Sequence, residues 1–128
     1  MKKSEIDISP LKKALASLER AAAQPKDEFS RDSVIQRFEF TFELSWKALQ
    51  KWLEADRPLS DNSVKGILRE AARRQLISDL PAWFEFHTAR NLTSHTYNEQ
   101  TAEEVYAIAL KIVEHARRLI NSLTVSAP

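Results

Sequence analysis

The end of the chain carries a regular repeat of apolar residues, and this repeat restricts the fold more than any other feature of the sequence. Apolar side chains recur at alternating steps of three and four positions, at Ala102, Val105, Ala109, Ile112, Ala116, Leu119 and Leu123. This spacing places them all on one side of an α-helix, whereas on a strand it would divide them between two faces. A long amphipathic helix is therefore predicted, and the capping-box spacing of Thr101 and Glu104 predicts its start.

The same spacing predicts a second long helix over residues 30–55. Its apolar seam runs along Ile35, Phe38, Phe42, Ser45, Leu49 and Trp52. A further apolar line at Phe40, Leu44 and Ala48 lies beside the seam, so more than one face of this helix is apolar. Two interpretations stay open: a central helix that contacts two neighbours, or a surface that binds a second copy of the chain. Trp46 and Trp52 fit helical spacing and are expected in the core.

Three further helices are predicted from their start signals and apolar positions. Ser9 and Pro10 suit the N-cap and first position of the first helix, and Asp79 is expected to cap the fourth. The fourth helix should carry on one side Trp83, Phe84, His87 and Asn91. The third helix is short, and its inward residues are expected to be Val64, Ile67, Leu68 and Ala71.

Composition supports a helical fold of one domain over residues 1–128. The chain has one glycine in 128 residues, whereas sheets with tight turns usually need more. We therefore predict an all-α fold, an up-and-down antiparallel bundle of four main helices plus a short one. Cysteine is absent and the net charge is only +1, so thiolate metal sites are excluded and bulk charge does not indicate nucleic acid. No apolar run is long enough for a membrane span. The absence of cysteine suits a cytoplasmic protein, and neither a metal nor a cofactor is expected.

Two groups of polar residues allow both a structural and a functional interpretation. Arg69, Arg73 and Arg74 would form either a solvated helix end or a phosphate-binding edge. His87 is expected to be a partly buried histidine among aromatic residues, and His115 is expected at the surface.

The segment "ARNLTSHTYNE", residues 89–99, holds the side chains with the clearest chemical potential. On a continuous helix Arg90 and His95 would point about 140° apart. Thr93, Ser94 and Thr96 are weak helix formers, however, and a break there would let His95 and Tyr97 fold back toward Arg90. A guanidinium could then bind a phosphate ester while the imidazole transfers a proton, although arginine and histidine also commonly finish a helix.

This segment resembles the Arg–x4–His–x–Tyr signature of HEPN domains, with Asn91 as the polar residue expected after the arginine. Over nearly its full length the chain is similar to the nucleotidyltransferase substrate-binding protein family, the HEPN partner in paired MNT–HEPN genes. The similarity includes "VIQRFEFTFELSWKALQKWLE", "VKGILREAARRQLI" and the tryptophan of "AWFEFHTARN".

The resemblance implies a helical bundle like the C-terminal domain of kanamycin nucleotidyltransferase. It implies a homodimer that pairs with a separately encoded small nucleotidyltransferase of the MNT type. That partner carries a Gly-Ser turn and paired aspartates. This chain has no Gly-Ser pair and no Asp-x-Asp, so it is not expected to be the catalytic nucleotidyltransferase.

The resemblance also implies roles for individual residues, and two hypotheses follow. In the first, the chain is a substrate-binding subunit in which Arg90, Asn91, His95 and Tyr97 contact nucleotide or acceptor. In the second, it is a metal-independent ribonuclease toxin in which Arg90 and His95 are catalytic. The paired nucleotidyltransferase, as antitoxin, would silence this toxin by adding AMP to Tyr97.

Overall fold

The computed structural model describes residues 2–125, and in this part of the chain it contains helices and no strand. Its five α-helices are α1 (Ser9–Ala22), α2 (Glu28–Glu54), α3 (Val64–Arg73), α4 (Leu80–Asn91) and α5 (Glu99–Val125). Two single turns of 3-10 helix occur at Lys3–Glu5 and Thr93–His95. The predicted all-α bundle of four main helices and a short one is confirmed. No helix among the described residues combines the length and apolarity needed to cross a bilayer.

Helix α2 is the centre of the bundle, because it packs against each of the other four helices. Its predicted seam is buried throughout, including the tryptophan at position 52. Of the second apolar line, Ala48 is buried and Leu44 is half-buried against the core, whereas Phe40 remains 47% exposed. Contact with several neighbours therefore explains Ala48 and Leu44, whereas much of Phe40 stays open to solvent. Trp46 is half-buried at the core's edge.

The apolar seam of α5 is confirmed at every position, since all seven predicted residues are buried. The predicted start of this helix was wrong. Asn98 caps it through a side-chain oxygen that accepts the backbone N–H of Thr101 at 3.1 Å, and helical structure begins at Glu99. Asparagine and threonine are both good caps, so Thr101 was a reasonable candidate, but the earlier cap adds a turn before it.

Helix α4 buries more than the one side on which the sequence groups its aromatic residues. Asp79 caps it as expected, by accepting the N–H of Ala82 at 3.1 Å. The deeply buried residues, however, are Trp83, Phe86 and Ala89, while Asn91 is exposed. The reason is that α4 packs against α2, α3 and α5, so its apolar contact area is wider than a single seam.

Two smaller predictions also need correction. Ser9 is the first helical residue of α1 rather than its cap, and its N–H is accepted by Asp7 at 2.9 Å. His115 is half-buried instead of lying at the surface, with its ring 5.3 Å from that of Phe86 and 6.4 Å from that of Trp83. Edge contacts with these aromatic rings stabilise the imidazole at the border of the core.

Gly66, the chain's one glycine, lets the segment before α3 pack closely against that helix. A Cβ at this position would lie 2.5 Å from the Oδ2 atom of Asp61. We expect Gly66→Ala to lower the free energy of unfolding by about 1 kcal/mol, because overpacking outweighs the gain in helix propensity. Urea denaturation checks this.

A double-mutant cycle isolates the cause of that loss. In an Asp61→Gly background the clash is absent, so Gly66→Ala should become neutral or stabilising. The same loss in both backgrounds would contradict a steric cause.

Candidate functional site: the segment between α4 and α5

The Arg–x4–His–x–Tyr segment lies where the chain leaves α4 and turns into α5. Helix α4 ends at Asn91, and a 3-10 turn at Thr93–His95 follows. The N–H of His95 donates to the Leu92 carbonyl at 2.9 Å, and the Thr93 hydroxyl donates to the Arg90 carbonyl at 2.8 Å. The weak helix formers thus satisfy the backbone in a tight turn, and the predicted break in the helix is confirmed.

Arg90 is held by a carboxylate that the sequence did not nominate. Its Nε donates to Oε1 of Glu43 on α2 at 2.6 Å, and both side chains are half-buried. Glu43 belongs to a stripe of α2 that the apolar spacing assigns to solvent. An arginine beside the core needs an anionic partner, and this requirement is the signal that could have pointed to a carboxylate such as Glu43.

His95 and Tyr97 form a second part of the segment. Their rings meet edge to face with centroids 6.1 Å apart, and the Tyr97 side chain is 86% exposed. Asn91 is also exposed. Arg90 thus contacts Glu43 on α2, whereas His95 contacts Tyr97 within the segment. The functional roles of the four predicted residues stay a prediction.

His87 lies one helical turn before Arg90 and carries no predicted role in the site. Its ring stacks on Phe42 at 5.9 Å, and its Nδ1 is buried without a hydrogen-bond partner among the described residues. Burial lowers the pKa of His87, and the nearby cations Lys65 and Arg90 lower it further, against a smaller opposite effect of Glu43. The neutral imidazole is therefore favoured at this position.

We expect this lowered pKa to make stability depend on pH. The unfolded chain binds the His87 proton more readily than the folded chain, so stability falls as the pH drops below the ordinary value of 6.5. His87→Phe should keep the stack on Phe42 but lose the part of the pH dependence that His87 causes. Unfolding in urea at about pH 7 and about pH 5.5 should then show a smaller difference for the variant than for the wild type. Equal differences would contradict a titrating His87.

Arg31 connects α2 to the start of α5, where the segment ends. This buried guanidinium, 4% exposed, donates to Glu99, to Glu103 at 3.2 Å and to Asp32 at 3.1 Å. The hydrogen bond to Glu99, followed by the bonds to the other two carboxylates, raises the pKa of Arg31 far above its ordinary value. Sequence spacing did not reveal this network, because Glu99 and Glu103 lie about 70 positions from Arg31 along the chain. Within residues 2–125, no cluster of three or more histidine, aspartate or glutamate side chains could hold a metal ion.

The fold and this surface define a class: all-helical bundles that carry the Arg–x4–His–x–Tyr segment between their last two helices. More particularly, the chain belongs to the family described as nucleotidyltransferase substrate binding protein like. The model of that family matches residues 6–125, nearly the whole chain.

Relatives with known structures share both sequence and fold. A Haemophilus influenzae structure, described as revealing the fold of a substrate binding domain of a nucleotidyltransferase, is 32% identical with a TM-score of 0.83. It covers 92% of this chain and 99% of its own. A crystal structure from Thermus thermophilus is 34% identical with a TM-score of 0.81, covering 88% and 98%. A Haemophilus influenzae protein named Probable ribonuclease HepT is 35% identical over 84% of each chain.

Proposed function

We propose that the chain is the substrate-binding subunit of a two-component system in the cytoplasm, folded as a single domain over residues 1–128. It forms a homodimer, pairs with a separately encoded small nucleotidyltransferase and contributes Arg90, Asn91, His95 and Tyr97 to nucleotide or acceptor binding. The observation that carries the proposal is membership of the nucleotidyltransferase substrate-binding family over residues 6–125.

The Arg90–Glu43 pair supports a phosphate-binding role. A guanidinium has five N–H donors, and the bond to Glu43 uses the one on Nε. The donors on the two terminal nitrogens remain suited to a phosphate, which arginine binds through paired hydrogen bonds. Glu43 is then a positioning residue, since it restricts the side chain of Arg90 before any ligand arrives.

Phe40 supports the proposed homodimer. It is 47% exposed and lies three residues before Glu43 on α2, so its side chain is on the surface next to the pair. A second copy covering this region would bury Phe40 and bring its own segment close to the first. The open surface around His95 and Tyr97 would then become a cleft between two chains.

Co-expression with a small nucleotidyltransferase of the MNT type, encoded beside this chain if the proposal holds, tests the pairing. We expect the two proteins to purify as one complex, and light scattering of the chain alone to give a dimer at micromolar concentration. Nucleotide binding by the complex should weaken in Arg90→Ala but not in Arg20→Ala, which removes an exposed arginine of α1 far from the segment in sequence. Separate elution of the two proteins, or a monomeric chain, would overturn the corresponding part of the proposal.

A second candidate function is a metal-independent ribonuclease that the same partner silences. Two observations favour it: the relative named Probable ribonuclease HepT, and the exposure of Tyr97 beside His95. In this mechanism His95 would take or give the proton of the attacking or leaving oxygen. Arg90 would stabilise the pentacovalent phosphate, and AMP on the Tyr97 hydroxyl would block both.

RNA cleavage by the purified chain in the presence of a chelator distinguishes the two candidates. The ribonuclease requires cleavage by the wild type that is lost in His95→Ala and kept in Arg20→Ala. Tyr97→Phe should still cleave but gain no AMP mass when co-expressed with the nucleotidyltransferase. Absence of cleavage at any protein concentration would leave the binding subunit as the function.

A further inference from the structure

A cavity of about 420 Å³ lies between α3 and the segment that precedes it, away from Arg90. The charged residues of its wall are four arginines and two acidic residues, so positive charges exceed negative charges by two. They are Arg57, Arg69, Arg73, Arg74, Asp61 and Glu70. The cavity volume falls within the range of small-molecule sites. This is the location where the sequence left open a solvated helix end or a phosphate-binding edge.

Glu70 organises two of these arginines. Its carboxylate accepts hydrogen bonds from Arg73, at 2.9 Å from Nε, and from Nε of Arg74 at 3.0 Å. Arg74 also donates to Asp56 at 2.8 Å, so its guanidinium is fixed from two sides. The bonds from Arg73 and then Arg74 lower the pKa of Glu70 to about 2, so the carboxylate stays ionised at neutral pH. Both guanidinium groups are therefore pre-positioned in the wall of the cavity.

Neither Arg57 nor Arg69 is held by a carboxylate hydrogen bond like those of Arg73 and Arg74. The Arg57 side chain is 64% exposed, and its nearest carboxylate is Glu70 at 3.9 Å, beyond hydrogen-bond distance. The guanidinium carbon of Arg69 lies 5.4 Å from the ring centroid of Phe84, which orients the group without using its N–H donors. Arg57 and Arg69 thus keep their N–H donors out of carboxylate hydrogen bonds, whereas Arg73 and Arg74 use some of theirs on Glu70 and Asp56.

We propose that this cavity is a second ligand site, which binds phosphate groups through Arg57 and Arg69. Four arginines line this one concave surface, and arginine binds phosphate oxygens through paired, charge-assisted hydrogen bonds. The phosphates could come from the polyphosphate chain of a free nucleotide or from the backbone of single-stranded RNA. The site does not depend on Arg90, so failure of the proposed function would leave it standing.

Calorimetric titration of the full chain with inorganic tripolyphosphate, ATP and a short single-stranded RNA tests the site. We expect tripolyphosphate to bind, and Arg57→Gln and Arg69→Gln each to weaken binding about tenfold. Arg20→Gln is the matched control, since it removes the same charge from exposed α1 and should leave the affinity unchanged within about twofold. Circular dichroism melting of each variant verifies that it is folded.

The three probes separate the sources of the phosphate. Binding of tripolyphosphate and ATP that depends on Arg57 and Arg69 assigns the site to a nucleotide. RNA binding with the same dependence, without tripolyphosphate binding, assigns it to a nucleic-acid backbone. No binding of any probe at millimolar concentration would overturn the proposal. An equal loss in Arg20→Gln would also overturn it, because the effect would then reflect net charge alone.

Discussion

Phe42→Ala is expected to lower the free energy of unfolding by about 3–5 kcal/mol, the largest effect of any substitution considered for this chain. Phe42 is fully buried on α2, and its ring meets those of Phe38 at 6.5 Å, Trp83 at 6.3 Å and His87 at 5.9 Å. Truncation removes these contacts and leaves a cavity at the junction of α2 and α4, where rings from two helices hold each other in place.

Phe29→Ala is the matched control for this prediction. It makes the same chemical change on the same helix, but Phe29 is 81% exposed, so a change within about 0.5 kcal/mol is expected. Urea denaturation measures the free energy of unfolding of both variants, and its dependence on urea concentration should match that of the wild type. A loss below about 1 kcal/mol for Phe42→Ala would show that the interface between α2 and α4 is not tightly packed.

Arg31→Ala is expected to lower the free energy of unfolding by about 2 kcal/mol and to loosen the start of α5. The substitution removes a buried side chain and its bonds to Glu99 and Glu103, but these carboxylates are partly exposed and keep much of their solvation. The loss should therefore be smaller than for a fully buried ion pair. Amides in the first turn of α5 should exchange with solvent faster, because the tie to α2 is gone.

This prediction has a pH dependence of known sign. The pKa of Glu103 is lowered by Lys26 first and by Arg31 second. A carboxylate with a lowered pKa stabilises the fold above its ordinary value, 4.5, and this contribution is lost as the pH falls through the folded-state pKa. The difference between wild type and Arg31→Ala should thus shrink in acid. Arg20→Ala, from an exposed position on α1, should show neither the loss nor the shrinkage.

The long helices could be predicted from the sequence because their apolar periodicity is strong and local. All seven seam residues of α5 proved to be buried, from Ala102 to Leu123. The start of that helix was predicted too late in the chain, since Asn98 and Thr101 are both competent caps and local propensity does not rank them. The bonds from Arg31 to Glu99 and Glu103 favour the longer helix, and they depend on α2 lying beside α5.

In the candidate site, too, local features could be predicted from the sequence and contacts between helices could not. The break after α4 followed from Thr93, Ser94 and Thr96, and the resemblance to HEPN domains directed attention to Arg90, His95 and Tyr97. Periodicity could not identify Glu43, because its helical position predicts exposure while a neighbouring helix provides its partner. The prediction that His115 lies at the surface was wrong for a related reason, because aromatic rings of α4 pack against it.

By itself, then, the sequence determined that the chain is helical, where its long helices run and to which family it belongs. These properties follow from interactions within about seven positions and from a motif read in order along the chain. The tertiary structure alone decided which charges meet, as in the pairs of Arg90 with Glu43 and of Arg31 with Glu99, and that Arg57 and Arg69 line one cavity. Contacts between distant positions depend on how the helices pack, and no local pattern encodes that packing.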